Sequence, residues 1–304
     1  YEIPKRDWSS DVCSSDLMLT AESGGGSDVA ARILAQGLGA TLGQQVVVDN
    51  RVGGINIASI AAHAAPDGYT LLTYSNSLWF IPLMRGQTPY DVQRDFAPVS
   101  LLGGSPMVLV LHPSLAATSV KELIALAKAK PNQLNYASTG NGASNHMSME
   151  LFKLMTNTQI VHIPYKGSAP ALTDLMGGHV MMIFDNTPNV LPHAKTGKMK
   201  AIAITSLKRS ELAPEVPTVD ESGVKGFEVN VWFGTVAHAN TPRDIVNRLN
   251  AEINKIIAMP DVRQRFVSGG VNPVGGTAEQ FTAHIRNEVE KWAKVVKATG
   301  ARVE

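Results

Sequence analysis

The chain is nearly devoid of cysteine. Cys13 is the only one in 304 residues, so no disulfide can close within the chain and no CxxC metal or redox pair exists. A charge imbalance is also missing. Twenty-seven basic residues face 26 acidic ones, the net charge is +1, and no basic stripe is present, which argues against a nucleic-acid partner. Long apolar runs are absent too: stretches such as 107–111 are far too short to cross a bilayer. Residues 1–17 lack the apolar segment of a signal peptide, a composition that also fits a mature secreted protein whose signal has been removed. Metal and hydrolase signatures are equally thin. His146, His162, His179 and His193 are scattered without an HExxH spacing, and no GxSxG elbow occurs, so neither a metal nor another cofactor is expected.

What remains is an ordinary globular mix, 44% apolar and 17% charged, long enough for two domains. Helical and strand patterns alternate, which predicts an α/β fold. Val29, Ile33, Leu34, Leu38 and Leu42 share one helical face, and Gly43 ends it. Short strands are expected at 45–48, 69–74, 107–112, 135–138, 160–165, 180–184, 201–205 and 227–236. Helices are expected at 57–63, 120–130 and 168–176. Another follows the loop at 139–145, with Met147, Leu151, Leu154 and Met155 as its buried stripe. Ser119–Glu122 and Thr277–Gln280 read as capping boxes, and Thr241-Pro242 reads as a helix start with Thr as its cap. No linker or repeat separates the two domains, so crossing strands are expected to join them. Residues 5–17, KRDWSSDVCSSDL, fit no element and read as a tag-like end.

Chemistry concentrates at three strand-to-helix junctions. The first is LNYASTGNGASNHMSMELFKL, residues 134–154, where a Gly/Ser/Asn loop opens a helix and aims backbone N–H groups and a helix dipole at one point. The second is a similar cradle at GGGSD, residues 24–28. The third is PYKGSA, residues 164–169, where Tyr165 offers a phenol and the helix after Ser168 offers N–H groups. Two anion cradles without a catalytic apparatus between them point to capture of a small anion.

In order along the chain, GGGSDVAARILAQGLGATLGQQVVVDNR, APDGYTLL, the 134–154 stretch, VHIPYKGSAPALTDLMGGHV and EVPTVDESGVKGFEVNVWFGTVAHANTP resemble the Bug-type extracytoplasmic solute receptors of tripartite tricarboxylate transporters. The resemblance covers nearly everything after residue 24. It implies a type II periplasmic-binding-protein fold, two α/β lobes joined by two crossing strands, with lobe one formed by 1–104 plus 232–304 and lobe two by 105–231. It further implies a periplasmic, monomeric, non-enzymatic receptor that captures a di-, tri- or aromatic carboxylate and hands it to membrane transporter subunits. The implied ligand residues are Gly25, Gly26, Asp28, Gly54 and Asn56 in lobe one. In lobe two they are Ser138, Thr139, Gly140, Gly142, Ser144, Asn145, His146, Tyr165, Gly167, Ser168, Ala169 and Asp185. Two departures fall in lobe one: RDWSSDVCSSDLMLTAES replaces the family's first strand, so that strand is expected to be lost or distorted, and the loop at 52–57 has fewer glycines. The alternatives are a Ser/His hydrolase built on Ser144, His146 and Asp185, or a receptor that reports ligand occupancy to a signalling kinase.

Overall fold

A computed structural model describes residues 16–20, 26–51 and 54–302. Cys13, Gly25 and most of the anomalous 5–17 stretch therefore lie outside the described residues. The elements run β1 (Asp16–Thr20), α1 (Gly26–Leu42), β2 (Val46–Asn50), α2 (Gly54–Ala62), β3 (Thr70–Ser75), α3 (Ser77–Arg85), β4 (Phe96–Leu111), α4 (Val120–Ala129), β5 (Asn135–Ser138), α5 (Ser144–Thr156), β6 (Val161–Pro164), α6 (Ser168–Met176), β7 (Met182–Asn186), α7 (Thr187–Lys195), β8 (Lys200–Ile204), β9 (Asn230–His238), α8 (Arg243–Ala258), α9 (Pro260–Ser268), β10 (Asn272–Pro273) and α10 (Ala278–Thr299). The chain forms two compact units: 1–78 with 88–103 and 232–286, and 79–87 with 104–231 and 287–304. β4 and β9 each pass from one unit into the other. The second unit includes 79–87 and 287–304, stretches that the sequence reading assigns to lobe one. Packing of Phe80 against Trp292, with ring centroids 5.1 Å apart, joins those two stretches.

In the first unit β1 lies between β2 and β3, parallel to both, and β9 runs antiparallel to β3. The first strand is thus present, against the expectation that it is lost. The segment DLMLT is short, but Met18, Leu19 and Thr20 are fully buried, and its register with β2 is continuous over five residues. Burial on both faces overrides the weak strand pattern, as is usual for a central parallel strand.

In the second unit β4 is flanked by β8 and β7, both antiparallel to it, and β5 lies parallel to both β7 and β6. The two-residue alternation of a strand sorts the core. Ile183 of β7 and Ala137 of β5 join Leu172, Leu175 and Val190 on the face covered by α6 and α7. Phe184 turns to the other face, where Phe152 of α5 meets it edge-on at 6.2 Å and Phe227 stacks on it at 5.9 Å. The expected stripe of α5 is rotated. Met147 and Leu151 are buried as anticipated, but Leu154 and Met155 are exposed, and Ser148, Glu150 and Phe152 take the inner face. The polar inner residues have partners, Ser148 Oγ donating to Ser144 O at 2.7 Å and Glu150 accepting from Tyr136 and Lys153, which removes the usual cost of burying them.

The capping boxes are formed, with one shift. Thr277 and Gln280 bond reciprocally (N to Oε1 at 2.9 Å, N to Oγ1 at 3.2 Å). Ser119 accepts from Glu122 N, but the Glu122 carboxylate reaches back one residue further, to Thr118 N at 2.7 Å. Thr241 does not cap α8: Pro242 holds the cap position and the Thr241 hydroxyl is buried without a partner among the described residues. Among the described residues, no helix is long and apolar enough to cross a membrane.

Candidate ligand-binding site

In a parallel sheet the loops beyond the carboxyl ends of the strands carry the site. β5, β6 and β7 point the same way, so α5, α6 and α7 all start at one edge of the second unit. Backbone bonds lace the first two loops together, Tyr165 N to Ser138 O at 2.9 Å and Gly167 N to Thr139 O at 3.2 Å. In none of the three does the cap residue, Ala143, Gly167 or Asn186, make a side-chain cap bond. By contrast α4, elsewhere in the unit, is capped by Ser119. A helix start that no side chain caps is a place for an external acceptor, and the dipole favours a negative one.

The loop from 139 to 145 is built from inside. Gly140 and Gly142 have φ of 143° and 81°, a region that side chains disfavour, so glycine is required at both. Their amides are not free cradle donors, however. Gly140 N donates to Ser138 Oγ at 3.2 Å and Gly142 N to His146 Nδ1 at 3.1 Å. Asn145 Oδ1 accepts from Thr139 N, Thr139 Oγ1 and His146 N at 3.2, 3.3 and 3.0 Å. With its carbonyl so committed, Asn145 has its Nδ2 left as a donor.

Behind the loop stands a ring column. His146 and His162 stack at 4.0 Å with planes 8° apart, and Tyr136 stacks on His162 at 4.8 Å. His162 Nε2 lies 2.6 Å from Ser138 Oγ. The Tyr136 hydroxyl donates to Glu150 Oε1 at 2.7 Å, and Lys153 Nζ reaches the same oxygen at 2.6 Å. Burial depresses both histidines. His162 is held at about 3, with the neighbouring His146 and Lys153 adding to the effect, and His146 is lowered chiefly by burial. Both rings are therefore neutral at ordinary pH, and His146 carries its proton on Nε2 because Nδ1 accepts from Gly142. Burial also raises the Tyr136 phenol, with Glu150 adding to it. His162, Tyr136, Glu150 and Lys153 are missing from the residues expected from sequence. For three of them the signal was there: Tyr136 is two residues from Ser138 on one strand, and Glu150 and Lys153 share a helical face with His146.

Asp185 is on the same face of β7 as Ile183, under α6. Its carboxylate accepts from the Ser168 hydroxyl, from Asn186 N at 2.6 Å and from Asn189 Nδ2 at 3.1 Å. Burial raises its pKa, and those three donors oppose the rise. Asp185 thus ties β7 to the starts of α6 and α7. Tyr165 turns away from the helix start: its hydroxyl donates to Asp174 at 2.7 Å, and burial with that bond pushes its pKa up to about 12. Ala169 is exposed in the first turn of α6. Asp185 bonds Ser168, Asn186 and Asn189 but not His146, so Ser144, His146 and Asp185 are not wired as a hydrolytic triad. Among the described residues no three His, Cys, Asp or Glu side chains group to hold a metal.

The first unit has the same plan, with α1, α2 and α3 starting beyond β1, β2 and β3. At Gly26 a Cβ would lie 2.3 Å from Phe233 Cζ, so only glycine lets the ring cover the start of α1. Asp28 is buried and accepts from Arg32 Nε at 3.0 Å and Asn50 Nδ2 at 2.8 Å, pinning α1 to the end of β2. Gly54 and Asn56 fall in the first turn of α2, where Asn56 is exposed.

Two α/β units joined by two crossing strands, each with helix starts gathered at the carboxyl edge of its parallel strands, define a type II periplasmic-binding-protein fold, the architecture of solute receptors. Residues 30–301 match the family described as tripartite tricarboxylate transporter family receptor. Protein BugT of Bordetella pertussis is 41% identical over 288 residues, 92% of this chain and 87% of that protein. A UPF0065 protein of a Pseudomonas species is 39% identical over 276 residues, covering 90% and 82%. Among solved structures, the R. palustris protein Rpa4515 with adipate superposes with a TM-score of 0.88 at 34% identity, covering 98% of this chain and all of that one. MatC from Rhodopseudomonas palustris with bound malate gives 0.84 at 29% identity, covering 93% and 98%. The chain belongs to the tripartite tricarboxylate transporter receptor family, the Bug-type periplasmic solute-binding receptors.

Proposed function

We propose that this protein is a periplasmic receptor that captures a small dicarboxylate and delivers it to the membrane subunits of a tripartite transporter. The observation that carries the reading is the set of three helix starts at one edge of the second unit whose cap residues make no side-chain cap bond. Partial positive charge at those starts, with Asn145 Nδ2 beside them, can hold a carboxylate without an arginine. Adipate and malate in the related structures support the choice of a short dicarboxylate. Residues Ser144, Asn145, Ser168 and Ala169 lie in the first turns that would meet the anion. Gly140, Gly142, His146 and Asp185 would act one step behind, by shaping the loops.

Titration calorimetry against adipate, malate, citrate and an aromatic acid tests this. At least one is expected to bind with a micromolar or tighter Kd. Absence of heat from every member of the panel sinks the proposal.

A further inference from the structure

Three side-chain acceptor bonds fix the amides of the loop at 139–145, and two of them, those to Gly140 and Gly142, depend on groups that His162 touches. His162 is on β6, outside the loop. Register pairs Tyr136 with His162 and Ser138 with Pro164, so the strand alternation puts His162, Tyr136 and Ser138 on the face that α5 covers. From there the ring makes two contacts. Its Nε2 meets Ser138 Oγ at 2.6 Å, and Ser138 Oγ accepts from Gly140 N and lies 3.1 Å from Gly140 O. Its face lies 4.0 Å from His146, whose Nδ1 accepts from Gly142 N. The two glycines with left-handed backbone are thereby tied to one imidazole. Glycine has wide backbone freedom, so a released loop would have many other conformations to adopt.

We propose that His162 is the positioning residue of this loop: it sets the start of α5 for its anion without touching the ligand, acting through Ser138 on Gly140 and through His146 on Gly142. The inference rests on the loop being the ligand loop. The charged and titratable groups facing the ring are Tyr136 from β5 and His146, Glu150 and Lys153 from α5. Both imidazoles must stay neutral for the pair to hold its bonds. A proton on His146 Nδ1 would remove the acceptor of Gly142 N, and two imidazolium rings at 4.0 Å would repel.

The test compares wild type with His162→Phe, which keeps a flat ring and loses the hydrogen bond, and His162→Gln, which keeps a hydrogen-bonding group and loses the ring. Amide exchange by NMR is read in the ligand-free proteins, and adipate affinity by calorimetry. In His162→Phe the Gly140 amide is expected to exchange at least about tenfold faster, and in His162→Gln the Gly142 amide, while those of α6 and of the first unit keep their rates in both. Adipate binding is expected to weaken in both variants, by about tenfold. Wild-type exchange at Gly140 in folded His162→Phe, or at Gly142 in folded His162→Gln, overturns the proposal. So does faster exchange spread evenly over β5, β6 and α5, the mark of a purely structural ring. If wild type binds no acid of the panel, the receptor reading falls, and the exchange data alone still decide whether His162 sets the loop.

Discussion

Acid should loosen this protein through its neutral histidines, and His162 allows the size to be worked out. Its ordinary value of 6.5 is held at about 3 in the folded chain, first by burial and then by His146 and Lys153. Below pH 6.5 the unfolded chain binds a proton that the folded chain refuses, so stability falls as pH falls, and goes on falling until the folded value is reached. For a fully buried ring each pH unit would remove about 1.4 kcal/mol. His162 is only partly buried, so solvent screening cuts this to roughly 1–2 kcal/mol in all between pH 6.5 and about 4.5. His146 adds to it with the same sign. Carboxylates held below their usual range, such as Asp95 beside Arg94 and Asp220 under Gly226 N, also lose their contribution in acid. A comparison with His162→Phe separates these terms, because the carboxylates are common to both proteins. Urea unfolding followed by circular dichroism at the two pH values should show a loss smaller by about 1–2 kcal/mol in the variant. Equal losses in wild type and variant would refute the reasoning that His162 is held neutral by its surroundings.

Other substitutions probe the rest of the frame. Tyr136→Phe removes the hydroxyl that Glu150 accepts at 2.7 Å in a fully buried position, and should cost about 2 kcal/mol in urea unfolding. Gly234→Ala would place a Cβ 2.1 Å from Phe281 Cζ, so the melting temperature should drop by the equivalent of about 1–3 kcal/mol. Adding Phe281→Leu should recover part of that loss, since the two sites touch. Asp28→Ala takes the carboxylate from Arg32 and Asn50 and from the first turn of α1, and should lower stability by about 2 kcal/mol, less in high salt.

The alternation of strands and helices was legible because amphipathic periods and caps are local signals: Ser119 caps α4 and Gly43 follows α1, as their positions suggest. The elements that sequence misses each violate a local rule for a non-local reason. α3 and α7 contain Pro82 and Pro192, which read as breakers, yet both helices form. β4 runs through Gly103-Gly104, which looks like a turn. A Cβ at Gly103 would lie 2.4 Å from Asn272 O, so that glycine admits β10 against the strand. β1 follows a Ser/Asp-rich segment and is identified by its two strand neighbours.

For the candidate site, sequence marked the glycine junctions but not the bonds made inside them. The glycine pattern at 140 and 142 showed where the backbone turns, but which side chains return to those amides depends on Ser138, Asn145 and His146 in three dimensions. The bond from the Tyr165 hydroxyl to Asp174, nine residues on in α6, is not announced by the junction itself. His162 was invisible for the same reason: its partners come from β5 and α5, 16 to 26 positions earlier.

The claim at the centre is that a carboxylate sits against the starts of α5 and α6. A crystal structure of the adipate complex tests it most directly. A carboxylate within hydrogen-bonding distance of Asn145 Nδ2 and of first-turn amides at 144–145 or 168–169, with the Gly140 and Gly142 amides still on Ser138 and His146, is the predicted result. Adipate bound away from these turns, or loop amides that leave their side-chain acceptors to grasp it, would contradict the account.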